Sequence, residues 1–150
     1  MNMIQLISQS ARVTASNFCP TIYEGCKSIE EQKAAVVNRN TPNGGYWNSG
    51  GYAPQYIQLE FNALSTVHCA SFLVAQLPNG FTHHVITAGE DLNQLKIVKE
   101  LAKTTTGGEL IQVLFDPPLR NVRFLRIATS QSPSWVAWTK IFIYGRSNAH

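Results

Sequence analysis

The chain has 150 residues, a formal net charge of +3 and only 14% charged residues, as expected for one globular domain that can bury its own core. Its 12 lysines and arginines are dispersed, which argues against nucleic-acid binding through a basic patch. No segment approaches the roughly 20 apolar residues of a membrane span. The N-terminus lacks the basic and apolar regions of a secretory signal, so the sequence leaves the compartment open.

The N-terminal third is predicted to contain one strand, one loop and one short helix. Arg12–Ala15 has the composition of a strand. Cys19 and Cys26 bracket a short loop and could close a disulfide in an oxidising compartment, but the sequence leaves their pairing open. Ser28 and Glu31 fit a capping box, which predicts a helix that runs to about Val36.

The segment Trp47–Phe61 combines a loop rich in glycine, asparagine and aromatic residues with a clear strand. Ile57, Leu59 and Phe61 alternate with polar residues, which is typical of a strand buried on one face of an antiparallel sandwich. The loop before this strand offers flat apolar rings and amide groups, and both suit a polyhydroxylated ligand.

The rest of the chain is a succession of short apolar runs separated by turn signals. The predicted strands are Tyr56–Phe61, Val67–Leu77, His84–Ala88, Glu109–Phe115, Val122–Ala128 and Lys140–Arg146. The predicted turns lie at 42–45, 78–80, 106–108, 116–118 and 132–134. Asp91 to Lys103 fits a helix and a strand equally well. Cys69, inside an apolar strand, is predicted to be a buried free thiol. The pattern predicts an all-β sandwich or jelly roll.

The order of these elements from Ser10 to Gly145 resembles the discoidin, or coagulation factor 5/8 type C, family. The resemblance rests on the segments AAVVNRNTPNGGYW, PQYIQLEF, VHCASFLVAQLPNG, VITAGEDLNQLKIV, VRFLRIAT and WVAWTKIFIYG. It implies that residues 1–150 form one jelly-roll β-sandwich of two antiparallel sheets, of the galactose-binding-like type. It also implies a carbohydrate-binding, lectin-like function.

One departure from that family concerns its structural calcium. Members that bind calcium usually carry an Asp-Gly-Asn turn and a glutamate in the last strand, whereas this chain has Asn38-Arg39-Asn40 and Lys140. Calcium prefers several oxygen ligands with carboxylate charge. We therefore expect no metal and no other cofactor, with the Lys140 ammonium holding loop carbonyls in place of the ion.

No catalytic motif stands out in the sequence. There is no nucleophile elbow, no zinc-binding helix, no phosphate-binding glycine loop and no recognisable carboxylate pair. The sequence therefore predicts a non-catalytic module whose partner is a glycan.

The predicted ligand-binding residues lie on loops at one end of the sandwich. Aromatic rings would stack on a sugar while amide and guanidinium groups bond its hydroxyls. For the asparagines, turn formation is an equally good interpretation. For His84, a structural role is favoured over a sugar contact, and Trp47 and Trp138 are assigned to the core. The candidates are Arg39, Asn40, Tyr46, Asn48, Tyr52, His84 and Trp135, with Asn43 as a further amide.

The main alternative is a protein-interaction or adaptor subunit that uses the exposed sheet faces of the same sandwich. Single sugar sites are shallow and weak, so a lectin of this kind would also gain from several copies. Both hypotheses allow the chain to form a homo-oligomer or to be attached to a larger assembly. A membrane-surface domain is the weakest of the three, because the loops carry no basic cluster.

Overall fold

The structure, a computed structural model, describes residues 3–40 and 45–148. Its strands are β1 (Gln5–Leu6), β2 (Arg12–Ala15), β3 (Trp47–Asn48), β4 (Gln55–Val74), β5 (Gly80–Gly89), β6 (Lys96–Thr105), β7 (Leu110–Gln131) and β8 (Ala137–Ser147). The single α-helix in the described residues, α1, spans Ile29–Val37, and short 3-10 turns occupy Ile7–Ser10 and Leu92–Gln94. No helix in these ranges is long and apolar enough to cross a membrane.

Two long strands, β4 and β7, take part in both layers of the sandwich. The first part of β4 pairs with β2 and with the last part of β7, and β5 and β6 extend that sheet. The second part of β4 lies between β8 and the first part of β7. Register shifts between Glu60 and Cys69 mark where β4 passes from one sheet to the other. All pairings are antiparallel, and the predicted jelly-roll β-sandwich is confirmed.

The continuous long strands correct the sequence prediction at two places. Tyr56–Phe61 and Val67–Leu77 were predicted as separate strands, but Gln55–Val74 is one strand, β4, and residues 75–77 follow its end. The two predicted halves of β7 likewise form one strand. The predicted turn at 116–118 lies inside β7. Its proline-rich sequence coincides with the irregular pairing around Leu114 and Leu119, where the strand changes sheet.

The core lies between the two sheets and consists of the alternating inward side chains. Phe61, Phe72, Ile127 and Ile141 are each at most 1% exposed. Burying a large apolar side chain contributes about 1.5–3 kcal/mol, so this layer provides most of the stability. Trp47 and Trp138 are also buried, in agreement with their assignment to the core.

Helix α1 forms as predicted. Ser28 Oγ accepts a hydrogen bond from the backbone N–H of Glu31, and the Glu31 carboxylate accepts one from the Ser28 N–H. The ambiguous segment after Asp91 is mainly a strand, because β6 pairs along almost its whole length with β5. As an edge strand, β6 carries exposed lysines that discourage pairing with another chain.

His84 lies in the core rather than at the surface. Its ring is 1% exposed, and its centroid is 4.9 Å from that of Trp138. Nδ1 lies 2.7 Å from Thr129 Oγ1, while Nε2 has no partner in the part of the chain that the structure describes. This corrects its candidacy as a ligand-binding residue, because inward alternation on β5 points the ring between the sheets.

The buried His84 makes stability depend on pH. Burial, assisted by neighbouring His83, lowers the pKa of His84 from 6.5 to about 4. As the pH falls, His84 is therefore protonated near pH 6.5 in the unfolded chain but only near pH 4 in the folded chain. We therefore expect the free energy of unfolding to fall by roughly 3 kcal/mol as the pH is lowered from 6.5 to 4, since each unit of pKa difference corresponds to about 1.4 kcal/mol.

Denaturant titrations at several pH values measure this effect. His84→Gln should remove the decline, whereas His83→Gln, which changes a half-exposed neighbour, should retain most of it. An unchanged slope in His84→Gln would show that another group is responsible.

Candidate functional site

An open depression of about 410 Å³ lies at one end of the sandwich. Its size is within the range of small-molecule sites. Three chain segments line it: the residues around β3, the segment that follows β4, and the segment that precedes β8. The described lining residues are Tyr46, Asn48, Tyr52, Ala75, Gln76, Leu77, Pro78, Pro133, Ser134 and Trp135.

Strand register brings these segments to the same place. β8 pairs with both β3 and β4, and Trp138 is opposite Trp47 on one side and Val74 on the other. The end of β4 therefore lies beside the start of β8, with β3 on the other side. The segment that follows Val74 and the segment that precedes Ala137 therefore lie close together at this end of the molecule.

The lining presents aromatic rings at its rim. Tyr52 is 65% exposed, and Tyr46 and Trp135 are half-buried. The Trp135 ring packs edge-on against Tyr23, with centroids 5.4 Å apart and planes at 85°. Trp135 is thus held by a neighbouring ring, and all three rings keep part of their surface open, as stacking on a flat ligand requires.

Amide and hydroxyl groups complete the lining. Asn48 Oδ1 accepts a hydrogen bond from the Gly50 N–H, so this oxygen serves the turn, in line with the structural interpretation. Gln76 is 5% exposed, and its Nε2 has no hydrogen-bond partner in the described part of the chain. A buried amide donor without a partner is unfavourable, and because Nε2 is closed to solvent, a ligand oxygen would accept from it only after the Gln76 side chain turns outward.

The described lining consists of apolar, amide and hydroxyl side chains only. A ligand carboxylate or ammonium group placed against these residues would lose part of its hydration without gaining an opposite charge from them. The chemistry of the depression therefore matches an uncharged ligand that has both an apolar face and hydroxyl groups.

The structure brings together Tyr46, Asn48, Tyr52 and Trp135 from the predicted set. Arg39 and Asn40 are exposed after the end of α1 and are not among the described lining residues. Their neighbour Asn43 lies outside the described residues. The sequence reasoning missed Gln76 and the segment up to Pro78, which it treated as the end of a strand and a turn.

A second depression, of about 300 Å³, lies where the end of β5, the start of β6 and the bend of β7 meet. Glu90, Lys96 and Arg120 contribute to its lining, which in the described residues includes no aromatic ring. It offers no stacking surface, so the aromatic depression is the better candidate for a sugar site.

Lys140 occupies the position that the resemblance assigns to a calcium ligand. Its Nζ donates hydrogen bonds of 2.7 Å to the carbonyl oxygens of Ala35 and Asn38. The ammonium thus holds carbonyl groups at the C-terminal end of α1, where the sequence predicted loop carbonyls, and burial lowers its pKa. A divalent cation beside this ammonium would be repelled, so these residues do not fit a calcium ion. The described residues include no cluster of three His, Cys, Asp or Glu side chains that could hold a metal.

Similarity to solved structures identifies the fold. The family 32 carbohydrate-binding module of NanJ from C. perfringens, solved with galactose, matches with a TM-score of 0.72 and 15% identity, over 95% of this chain and 99% of that chain. A chitosan-binding module from a Paenibacillus sp. IK-5 chitosanase/glucanase matches with a TM-score of 0.70 and 16% identity, over 94% and 99% of the two chains. Family 32 modules have the galactose-binding-like, discoidin-type fold, so the fold implied by the sequence resemblance is confirmed.

Some matching structures are larger enzymes that contain such a module. Truncated AlyQ, which has a family 32 module and an alginate lyase domain, matches with a TM-score of 0.69 and 18% identity, over 99% of this chain and 35% of that chain. Neither a protein-family model nor a curated protein matches the sequence.

The Lys140 contacts generate a prediction about stability and calcium. Lys140→Met removes two charge-assisted hydrogen bonds, so we expect the free energy of unfolding to fall by about 1–3 kcal/mol. Calcium should not raise the melting temperature of the unmodified protein, because the ammonium already holds these carbonyls.

Thermal denaturation with and without calcium tests both statements. Lys96→Met, which changes an exposed lysine on β6, is the control and should leave stability nearly unchanged. Stoichiometric, tight calcium binding in calorimetry would show that the ion displaces Lys140 and that this account of the loop is wrong.

Proposed function

We propose that this chain is a non-catalytic carbohydrate-binding module whose ligand is an uncharged glycan. The observation that carries the proposal is the aromatic depression, in which exposed rings stand beside an unpartnered buried amide donor. The ligand would contact Tyr46, Asn48, Tyr52, Gln76 and Trp135.

Each part of the lining has a role in sugar binding. The C–H face of a pyranose is apolar, so stacking on Tyr52 or Trp135 removes apolar surface from water. The hydroxyl groups on the ring edge need hydrogen-bond partners once they are desolvated. The Tyr46 hydroxyl would supply one such partner at the depression, and the Gln76 amide would supply another after its side chain turns toward the ligand.

The matched modules support the class of ligand. NanJ's module was solved with galactose, one from Clostridium perfringens with GalNAc-β-1,3-galactose, and that of AlyQ with an unsaturated mannuronic acid. These ligands differ in charge, so the shared fold does not determine whether the bound sugar is charged, and we infer that the loop residues do. In this chain the described lining favours a neutral sugar.

Several copies would raise the avidity of such a site. A shallow depression binds a single sugar weakly, and linked sites convert later contacts into intramolecular ones. We therefore propose that the chain acts as a homo-oligomer or as part of a larger assembly.

A second candidate function, a protein-interaction module, is favoured by the outer face of the second sheet. Register aligns Cys69 with Leu114 on β7 and with Tyr144 on β8. Leu114 is 76% exposed and Leu110 is 52% exposed, and Cys69 is half-buried rather than buried as predicted. Large exposed apolar side chains on one face are typical of interaction surfaces.

A glycan array with wild type and single alanine variants tests the proposed function. Tyr52→Ala and Trp135→Ala should each weaken binding by roughly tenfold, since stacked rings contribute about 1 kcal/mol beyond their buried area. Tyr46→Ala should also weaken binding by removing a ring and its hydroxyl. Neutral glycans should bind better than uronate-containing ones.

Tyr144→Ala is the matched control, because it removes a half-buried tyrosine from the outer sheet face. Glycan binding that survives all three loop substitutions would refute the proposed site. No glycan binding, together with self-association that Leu114→Asp abolishes, would favour the interaction module.

A further inference from the structure

We propose that the loop Cys19–Cys26 forms a second subsite, in which Tyr23 and Ile22 hold the sugar residue next to the one in the aromatic depression. This inference rests on the proposed function and deepens it, because it makes the ligand a disaccharide or longer glycan. The subsite lies beyond Trp135, outside the residues that line the depression.

The loop is closed on itself by covalent and hydrogen bonds. A disulfide joins Cys19 to Cys26, with the two Cα atoms 5.8 Å apart. Within the loop, the Tyr23 N–H donates to the Pro20 carbonyl at 3.1 Å and the Cys26 N–H to the Tyr23 carbonyl at 3.2 Å. Tyr23 is therefore presented by a short closed turn and not by a free segment.

A buried glutamine fixes the base of this loop to the site. Gln32 of α1 is 1% exposed, and its Nε2 donates to the carbonyls of Cys19 and Lys27, at 3.0 and 2.9 Å. Its Oε1 accepts from the N–H of Asn48, a lining residue, at 3.0 Å. One side chain thus holds both ends of the loop and β3 in a fixed arrangement.

Glycines allow the loop to approach the depression closely. Gly25 has a φ of 89°, and a Cβ atom placed there would lie 2.9 Å from the Tyr46 hydroxyl. A Cβ at Gly50 would lie 3.1 Å from Cys19 Cα. The loop therefore packs directly against the rim of the depression.

Tyr23 continues the aromatic surface of the depression. Its ring stands at 85° to that of Trp135, so the two rings form a corner with two walls. Tyr23 remains 48% exposed and adjacent Ile22 84% exposed, although the loop that carries them is fixed. Exposed apolar side chains on a closed loop beside the depression form a stacking surface whose backbone is already organised before binding.

The adjacent sugar of the same glycan is the occupant that fits this corner. A sugar in the depression reaches Trp135, and the next ring follows after a single glycosidic oxygen. That ring would then lie against Tyr23, the neighbour of Trp135, with Ile22 covering its apolar face. The neighbouring ring meets this surface without any change in the protein, so little ordering entropy is lost.

Glycan arrays that carry matched mono-, di- and trisaccharides of neutral sugars test the proposal, followed by calorimetry on the best binder of each length. Wild type should bind the longer glycans more tightly than the monosaccharide. Tyr23→Ala should weaken disaccharide binding by roughly fivefold to tenfold and monosaccharide binding distinctly less, the smaller loss coming from the support that Tyr23 gives to Trp135. Tyr23→Phe, which retains the ring, should restore most of the loss, and melting curves confirm that each variant is folded.

The outcomes separate this inference from the proposed function. Equal affinity for mono- and disaccharides, or an equal loss for both in Tyr23→Ala, would refute the second subsite while glycan binding stands. No binding of any glycan by wild type would refute the proposed function and the subsite with it.

Discussion

The hydrogen bonds of the Gln32 side chain hold together the end of the molecule that carries the proposed site. This buried amide connects α1, both ends of the disulfide loop and β3 through its two donor bonds and one acceptor bond. A buried amide leaves unsatisfied groups behind when its partners move, so the arrangement resists distortion. The loops of the site therefore stand on a fixed base, and a shallow depression can keep its shape without a ligand.

The sandwich supplies the second constraint, which is the register of β8 between β3 and β4. Because Trp138 faces Trp47 and Val74 in neighbouring strands, the chain segments beyond them meet at one end. The same buried tryptophan packs against His84, which ties β5 to this end of the core. Packing and register position the rings, while Lys140 holds the carbonyls of Ala35 and Asn38 at the end of α1.

Much of the fold follows from the sequence, because alternation and turn residues are local signals. The capping box of α1 rests on spacing alone, whereas the assignment of Trp47 to the core follows from the resemblance to the discoidin family. The long strands were harder to predict, because a proline-rich bend within a strand, such as 116–118, has the same local sequence as a turn between two strands. Pairing partners decided whether Lys96–Thr105 is a strand. The burial of His84 could not be predicted either, because alternation separates the two faces of a strand but does not show which face is covered.

The parts of the candidate site formed by aromatic loop residues could be predicted from the sequence. The parts whose position depends on strand register could not. Tyr46, Tyr52 and Trp135 stand out in the sequence, whereas Gln76 is an ordinary polar residue at the end of a strand. Its importance comes from its position beside the start of β8. Tyr23 was missed because pairing of Cys19 with Cys26 was open, and only the closed loop brings its ring against Trp135.

The central claim is that a neutral glycan binds in the depression between these loops. Its most direct test is an NMR titration of the labelled protein with the neutral glycan that binds best. If this claim is correct, the shift changes will be centred on the Trp135 indole N–H and on the side-chain amides of Gln76 and Asn48. Changes centred instead on the outer face around Leu114, or at the opposite end around Arg120, would contradict it.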